Sequence, residues 1–580
     1  MLFPRIGKPV RNNLLLIVIF ILAYFAILNY FSYFEVQLVQ DFIMKTEVLF
    51  YILTIIALLS VLILSGQKIY QNLKSIKKDV WIYALVIFIF ALLIREVIPP
   101  KTTRLFFDED IYLDMAKQIA THGSSCLCDY GTKYECFKCE LMKWPVAHPF
   151  LISIPFFIFG SSNLISSHFM VFLSSLSTVF IFFSSYILFK DKRIAIFSAL
   201  ILALLPVHIL WSTTSSADVT FSFFTSVVLF LSILSAQSTD IRIHLISLLV
   251  LALSVQTKSE GVILILLYFL TQILLNKKYT KMLEKKSYAL VLIASFLLMS
   301  IYFLHIFYTS RTDTWGSTGE KFAISYLYPN VLSNLSYWFE AGVVTDPSAY
   351  VAKQLYHPII FTLLACVGLV ALFKKDSRKF IVLFSWLGIL FLLYASFYAG
   401  GVYFGVDVRY VLPQYIPFSV ICGFGIFSIF NYLRKKIDKN ITFIFIIFVL
   451  LVYFSLYIPK MHIPAEDISE SYGARLYTKS AIDFASDYPD DCYFISHVSS
   501  LYSWLGKGQM QIWYIYQPEF DSIVRNSGCV IFDEGYWCAI NVQESKSCVE
   551  FSNKYNLILL NRVNDSVENK VYSFYKVVLK

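Results

Sequence analysis

The feature that most constrains this chain is a succession of long apolar runs separated by short basic segments. The runs fall near residues 12–33, 47–65, 80–98, 161–189, 193–212, 218–236, 243–257, 260–275, 287–309, 357–373, 379–398, 410–430 and 441–458. A helix rises about 1.5 Å per residue, so roughly 20 apolar residues cross the hydrocarbon of a bilayer. The expected fold class is a polytopic α-helical membrane protein with about 13 transmembrane helices, of which short runs such as 243–257 are the weakest candidates.

Composition agrees. With 58% hydrophobic and 15% charged residues over 580 positions, too little polar surface exists for a water-soluble globule. A net charge of +9 invites a nucleic-acid reading, but the Lys and Arg residues form no stripe or arm. They mark alternate connections instead: Arg5/Lys8/Arg11, Lys68/Lys74/Lys77/Lys78, Lys190/Lys192/Arg193, Arg242, Lys277 to Lys286, Lys374 to Lys379 and Arg434 to Lys439. Basic connections stay in the cytoplasm, which puts the N-terminus inside and, after an odd number of crossings, the tail outside a cell membrane. The first apolar run is long and no small-residue cleavage site follows it, so no cleavable signal peptide is expected.

Three parts follow. Residues 1–78 form an N-terminal two-helix membrane hairpin, residues 79–459 a transmembrane domain with external loops at 99–160 and 310–356, and residues 460–580 an extracytoplasmic α/β domain. In the tail, 472–488, 519–526 and 544–555 read as helices, and 492–498, 529–533, 557–563 and 570–578 as strands. The tail holds no Gly-rich phosphate loop. Cys126, Cys128, Cys136, Cys139, Cys492, Cys529, Cys538 and Cys548 all fall in outward parts, which suits disulfides in an oxidising compartment. The spacing of the first four also fits a four-cysteine zinc site.

The densest chemical constellation opens the first external loop: Asp108-Glu109-Asp110, with Tyr112, at the start of a helix running to His122. One acid satisfies a helix N-terminus, and three where a span leaves the bilayer ask for another role. Along this helix Ile111, Met115 and Ile119 make an apolar stripe with Asp114, Lys117 and Gln118 off it, the pattern of a helix lying in the membrane interface. Further outward polar residues are Lys143, His148, Asp218, Lys258, Glu260, Arg311, Asp407, Arg409 and Tyr410. His208, deep in an apolar run, reads as a satisfied core histidine.

An enzyme outside the cytoplasm has no supply of activated nucleotides and must take its activated group from the membrane. Glycosyl transfer from a polyprenyl-phosphate sugar fits: a carboxylate takes the acceptor's proton while cations hold the departing phosphate. A single displacement inverts the anomeric centre.

Phe107-Asp108-Glu109 with Tyr112 resembles the acidic signature of GT-C-fold membrane glycosyltransferases, in the protein O-mannosyltransferase and aminoarabinose transferase branch. Lys143-Trp-Pro-x-x-His148-Pro149, Asp218, Thr257-Lys258-x-Glu260-Gly261 and Arg409-Tyr410-x-Leu-Pro413 follow in that branch's order. The resemblance spans roughly residues 79–430. It implies Asp108 as general base, Glu109 as its partner and Asp218 as a second acid. It implies that Lys143 and Arg409, with Lys258 and Arg311 as further candidates, engage the donor phosphate, and that Tyr112, His148, Glu260 and Tyr410 belong to the site. Residues 311–357 would cover it.

The implied partners are a polyprenyl-phosphate sugar donor, membrane lipid and a protein, glycan or lipid acceptor, with no nucleic acid. His148 and Trp144 depart from the branch's pattern, and residues 123–141 are an insertion. Asp108 and Asp110 would be the pair to hold a divalent cation, as in oligosaccharyltransferases, although the Trp-Trp-Asp-Tyr-Gly motif of those enzymes is missing. The rival from another class, a lipid or solute transporter or flippase, predicts charged mid-membrane helices and an internal repeat.

Overall fold

The computed structural model describes residues 8–31, 33–74, 76–99, 101, 108–312, 321–339, 357–402, 405–458, 472–540, 542–566 and 569–580. Each apolar run becomes a helix. Among the described residues nine helices are long and apolar enough to cross a bilayer, and a bent pair, Lys192–Leu204 with Pro206–Thr213, makes up to ten. The runs at 243–257, 260–275 and 357–373 give the shorter helices Ile241–Val255, Ile263–Leu275 and Ile359–Lys375. An apolar helix not foreseen from the run pattern, Ala147–Phe159, follows the first loop.

The bend has a local cause. Pro206 has no N–H to offer the carbonyl of Leu202, so the chain turns by 64° and leaves carbonyls open inside an apolar bundle. Arg95, fully buried on helix Lys78–Val97, closes them. Its guanidinium donates to Leu202 O at 3.1 Å, Ala203 O at 3.4 Å, Ser174 Oγ at 3.0 Å and His208 Nδ1 at 2.9 Å. His208 is a core histidine with its polar edge met by Arg95 and by Ser174 at 3.2 Å.

Helix Tyr415–Leu433 sits centrally because its glycines admit close neighbours. A Cβ on Gly425 would lie 2.1 Å from Leu364 O, and one on Gly368 of the facing helix 2.1 Å from Ile421 O. Gly368→Ala or Gly425→Ala should each cost about 1–3 kcal/mol by overpacking. Gly388→Ala, where a Cβ meets nothing within 4 Å, is the control, and thermal unfolding in detergent distinguishes them.

The N-terminal hairpin is fastened by a buried polar pin. Glu47 on helix Val36–Lys74 meets His305 Nδ1 at 2.9 Å and accepts from Ser125 Oγ at 3.1 Å. His305 Nε2 donates to Met142 O at 2.8 Å.

A seven-stranded sheet caps one end of the bundle. Its strands are β1 (Leu127–Gly131), β2 (Cys136–Glu140), β3 (Tyr493–Ser496), β4 (Gly508–Gln511), β5 (Val530–Glu534), β6 (Asn556–Asp565) and β7 (Lys570–Val578), in the order β2-β1-β4-β3-β5-β7-β6. β3 runs parallel to both β4 and β5. Helices and strands expected in the tail occur within a few residues of their sequence-based positions. The expectation omitted β4 and the short helix Ser499–Trp504.

The insertion at 123–141 is a hairpin that extends this sheet: Tyr130 pairs antiparallel with Met510, and Gly131 with Gln509. Disulfides join Cys126 to Cys139, Cys128 to Cys136, Cys492 to Cys529 and Cys538 to Cys548. The four cysteines for which zinc was the alternative are thus paired within the hairpin.

Helix Asp108–His122 lies between bundle and sheet. Ile111 and Met115 pack with Leu127 and Met142, and Ile119 with Val48, Tyr51 and Phe150. Its polar side was expected to face water, but it is buried. Lys117 Nζ donates to Ser503 O at 2.6 Å, and Asp114 accepts from Ser503 Oγ at 2.5 Å, Gln118 Nε2 at 2.9 Å and Cys128 N at 2.8 Å. The helix is therefore clamped on both faces, because the short helix Ser499–Trp504 supplies polar partners that no local pattern reveals.

Candidate active site

Four charged side chains from four separated segments gather at the sheet-bearing end of the bundle. Asp218 opens helix Ala217–Ala236, where Ser216 caps the first turn by accepting from the Asp218 N–H at 3.3 Å and donating to its carboxylate at 2.9 Å. Lys258 Nζ meets Asp218 Oδ1 at 2.8 Å and Glu260 Oε1 at 3.3 Å. Lys258 precedes a tight turn at Ser259–Val262 that needs Gly261, since a Cβ there would lie 2.4 Å from Val255 O. Arg409 Nε lies 3.9 Å from Asp218 Oδ2.

Aromatic rings form the wall. The Tyr394 and Tyr410 rings stack at 5.0 Å, and Lys258 sits over both, at 5.9 Å and 5.3 Å. The Arg409 guanidinium lies 4.9 Å from the Tyr410 ring and donates to its hydroxyl at 2.9 Å. An aromatic face attracts a desolvated cation, so this wall holds two cations beside the carboxylates of Asp218 and Glu260.

Tyr112 joins the acid helix to this group. Its buried ring is edge-on to His148 at 4.7 Å and to Trp144 at 6.1 Å. Burial and then the Asp108 carboxylate hold its hydroxyl pKa well above the ordinary value, with Lys258, Asp218 and Arg409 also acting on it. Asp108 acts on Arg409 as well. The first residue of the acid helix thus belongs to the same electrostatic cluster as Asp218, Lys258 and Arg409.

His148 and Glu109 fix the walls. His148 Nε2 donates to Ser215 O at 2.8 Å while Nδ1 faces the Thr220 hydroxyl at 2.8 Å. The Glu109 carboxylate accepts from the Ser215 N–H at 3.2 Å. Both tie the first loop to the turn that precedes Asp218.

Comparison with known proteins follows from this geometry. Residues 143–328 match the family described as dolichyl-phosphate-mannose-protein mannosyltransferase. No curated protein sequence matches the chain. The crystal structure of ArnT from Cupriavidus metallidurans bound to undecaprenyl phosphate is similar at a TM-score of 0.53 and 11% identity, covering 86% of this chain and 98% of that one. Its apo state gives 0.52 and 12%, covering 85% and 97%. The archaeal oligosaccharyltransferase AglB from Archaeoglobus fulgidus gives 0.47 and 12%, covering 86% and 74%.

The chain has the fold of ArnT. Within this chain the segment matching the mannosyltransferase family begins at Lys143 and includes His148, Asp218, Lys258 and Glu260, whereas Asp108 and Arg409 lie on either side of it. Lys143 Nζ lies 5.2 Å from the Trp144 ring and so adjoins the cluster through Trp144 and Tyr112. The side chains of Arg311 and Asp407 lie outside the described residues, as does most of the loop expected to cover the site.

Asp108 and Asp110 face different partners. Two residues along a helix turn about 200°, and Asp110 Oδ1 accepts from Trp504 Nε1 at 3.3 Å. Among the described residues, the grouping of three close metal-ligating side chains is His497, Cys538 and Cys548, two of which share a disulfide. Tyr394 had drawn no attention in the sequence, because a tyrosine in an apolar helix carries no distinguishing local signal.

The clamp on the acid helix titrates. Burial pushes the Asp114 carboxyl up to about 6 against its hydrogen bonds from Ser503, Gln118 and Cys128. A raised carboxyl binds more protons folded than unfolded between roughly pH 4 and 6, so stability falls as pH rises through that window. The expected result is a downward slope in thermal stability from pH 4 to 6 in the native protein that Asp114→Asn flattens.

Proposed function

We propose that this protein is a glycosyltransferase that moves a single sugar from a polyprenyl-phosphate donor to a hydroxyl-bearing acceptor on the extracytoplasmic face, by direct displacement with inversion. The observation that carries the reading is the cluster of Asp108, Asp218, Lys258 and Arg409 around Tyr112. Two cations beside a bilayer-spanning bundle suit a lipid phosphate that gains charge as its bond to the sugar breaks. A protein of the same fold, ArnT, is described as bound to undecaprenyl phosphate, and the matched family is described by a dolichyl-phosphate mannose donor. Both descriptions support a lipid-borne donor.

Roles follow from what each group already touches. The Asp218 carboxylate is shared by Lys258, Ser216 and Arg409; it orients the cations and is the poorer base. Asp108, the first residue of its helix, takes the acceptor proton as the hydroxyl oxygen attacks the anomeric carbon. The carbon–oxygen bond to phosphate breaks, and the polyprenyl phosphate leaves carrying the electron pair. Arg409 and Lys258 neutralise it, with Lys143 and Arg311 as flanking cations and Glu260 and Tyr410 holding Lys258 and Arg409 in place.

The test is transfer in vitro from synthetic polyprenyl-phosphate sugars to a panel of peptide, glycan and lipid acceptors, with the product's anomeric configuration read by NMR. An inverted product dependent on the lipid phosphate supports the reading. Retention of configuration, or no transfer from any lipid-phosphate donor, overturns it.

A further inference from the structure

The end of the bundle away from the sheet carries a second polar cavity. Helix Lys78–Val97 starts beside it and leads, about 30 Å later at 1.5 Å per residue, toward the acid helix. The cavity holds about 550 Å³ and is lined by residues at the ends of five helices, among them Lys77, Lys190, Lys192, Arg193 and Lys439. That volume lies within the range of about 300–1,000 Å³ usual for small-ligand sites.

Two carboxylates offset two of those cations. Lys192 Nζ meets Asp79 at 2.5 Å and Arg193 Nη2 meets Asp191 at 2.6 Å. Lys77, Lys190 and Lys439 line the same space, and among the described residues no carboxylate forms an ion pair with them. The cavity therefore keeps a surplus of three positive charges. Burial first, and then the charge of Lys379 outside the lining, pull the Lys190 ammonium below its ordinary range. Lys190 also occupies a left-handed backbone position, φ 56°, at the end of helix Asn163–Phe189, where glycine is favoured.

Alternation of charge along the sequence accounts for lysines on these connections, but not for their convergence on one cavity. Tyr83 contributes an aromatic wall, with Lys192 at 5.1 Å from its ring. On the outer side of the same helix, Trp81 and Ile82 are exposed where acyl chains would lie. A cationic cavity between helix ends, with apolar surface beside it, matches the shape and charge of a phospholipid headgroup with its tails in the bilayer.

We propose that this cavity is a second lipid site, distinct from the catalytic cluster, that holds the phosphate of an anionic membrane phospholipid between Lys77, Lys190 and Lys439. The site does not depend on the glycosyl donor, and its occupancy steadies the packing of the five helix ends.

The probe is fluorescent phosphatidylglycerol titrated against the delipidated full-length protein in nonionic detergent, with fluorescent phosphatidylcholine as the zwitterionic control. The native chain is expected to prefer phosphatidylglycerol at least tenfold. The triple variant K77Q/K190Q/K439Q should lose that preference, and Lys439→Glu alone should weaken it several-fold, with thermal unfolding confirming that both are folded. Equal binding of the two lipids by the native chain, or an unchanged preference in both variants, overturns the site. Full displacement of phosphatidylglycerol by millimolar inorganic phosphate overturns the lipid assignment in favour of a soluble phosphate.

Discussion

Asp108→Asn should lower the rate of sugar transfer by about 10²–10⁴-fold, the usual contribution of a positioned general base, while leaving the donor KM within a few-fold of native. Asparagine keeps the shape of the first turn and still accepts a hydrogen bond, so helix Asp108–His122 stays clamped between Ser503 and the bundle. It cannot take a proton. The same substitution at Asp218 should behave differently: removing that charge frees Lys258 and Arg409 from their shared carboxylate, which disturbs donor binding and raises KM together with the fall in kcat. Single-turnover kinetics with a radiolabelled lipid-phosphate sugar separate the two. Transfer by Asp108→Asn at near-native rate would remove Asp108 from the role of base.

Glu47→Leu should destabilise the protein by about 3–5 kcal/mol, the cost of stripping one partner from a buried ion pair. His305 donates to Met142 O through Nε2 and faces Glu47 through Nδ1, so removing the carboxylate leaves a buried ring nitrogen without its partner in an apolar bundle. His305→Leu strands the carboxylate instead. The double variant should recover most of the loss, because two leucines leave no unmatched charge. A double-mutant cycle on unfolding in mixed micelles checks this. An additive double variant would show that the pair contributes nothing as a pair.

The architecture was legible because lipid leaves few alternatives: every apolar run between basic connections had to be a helix. The run at 193–212 kept its identity but not its shape, since Pro206 bends it and Arg95 closes the opened carbonyls from another helix. The site was legible as residue types in order, with Asp108, Asp218, Lys258 and Arg409 read from the sequence and brought together by the fold. Which atoms face each other was not. Glu109 stands beside Asp108 in sequence yet reaches Ser215; Asp110 turns to Trp504.

The burial of Asp114 and Lys117 was hidden for the same reason: their partners lie nearly 400 positions away, beyond any helical or strand period. Residues 123–141 carry no sequence sign of joining the tail's sheet, because the hairpin's own pairing is local whereas its bonds to β4 are not.

That last pairing sets an order of events during synthesis. Tyr130 cannot meet Met510, nor Lys117 meet Ser503, until the ribosome has made some 380 further residues, which at about 5–20 residues per second takes roughly 20–75 s. Through that interval the acid helix has its bundle contacts but lacks the lid formed by the sheet. A chain interrupted before the tail would hold all four charged residues of the cluster yet lack Ser503 and Trp504, the partners of Lys117, Asp114 and Asp110 on the acid helix.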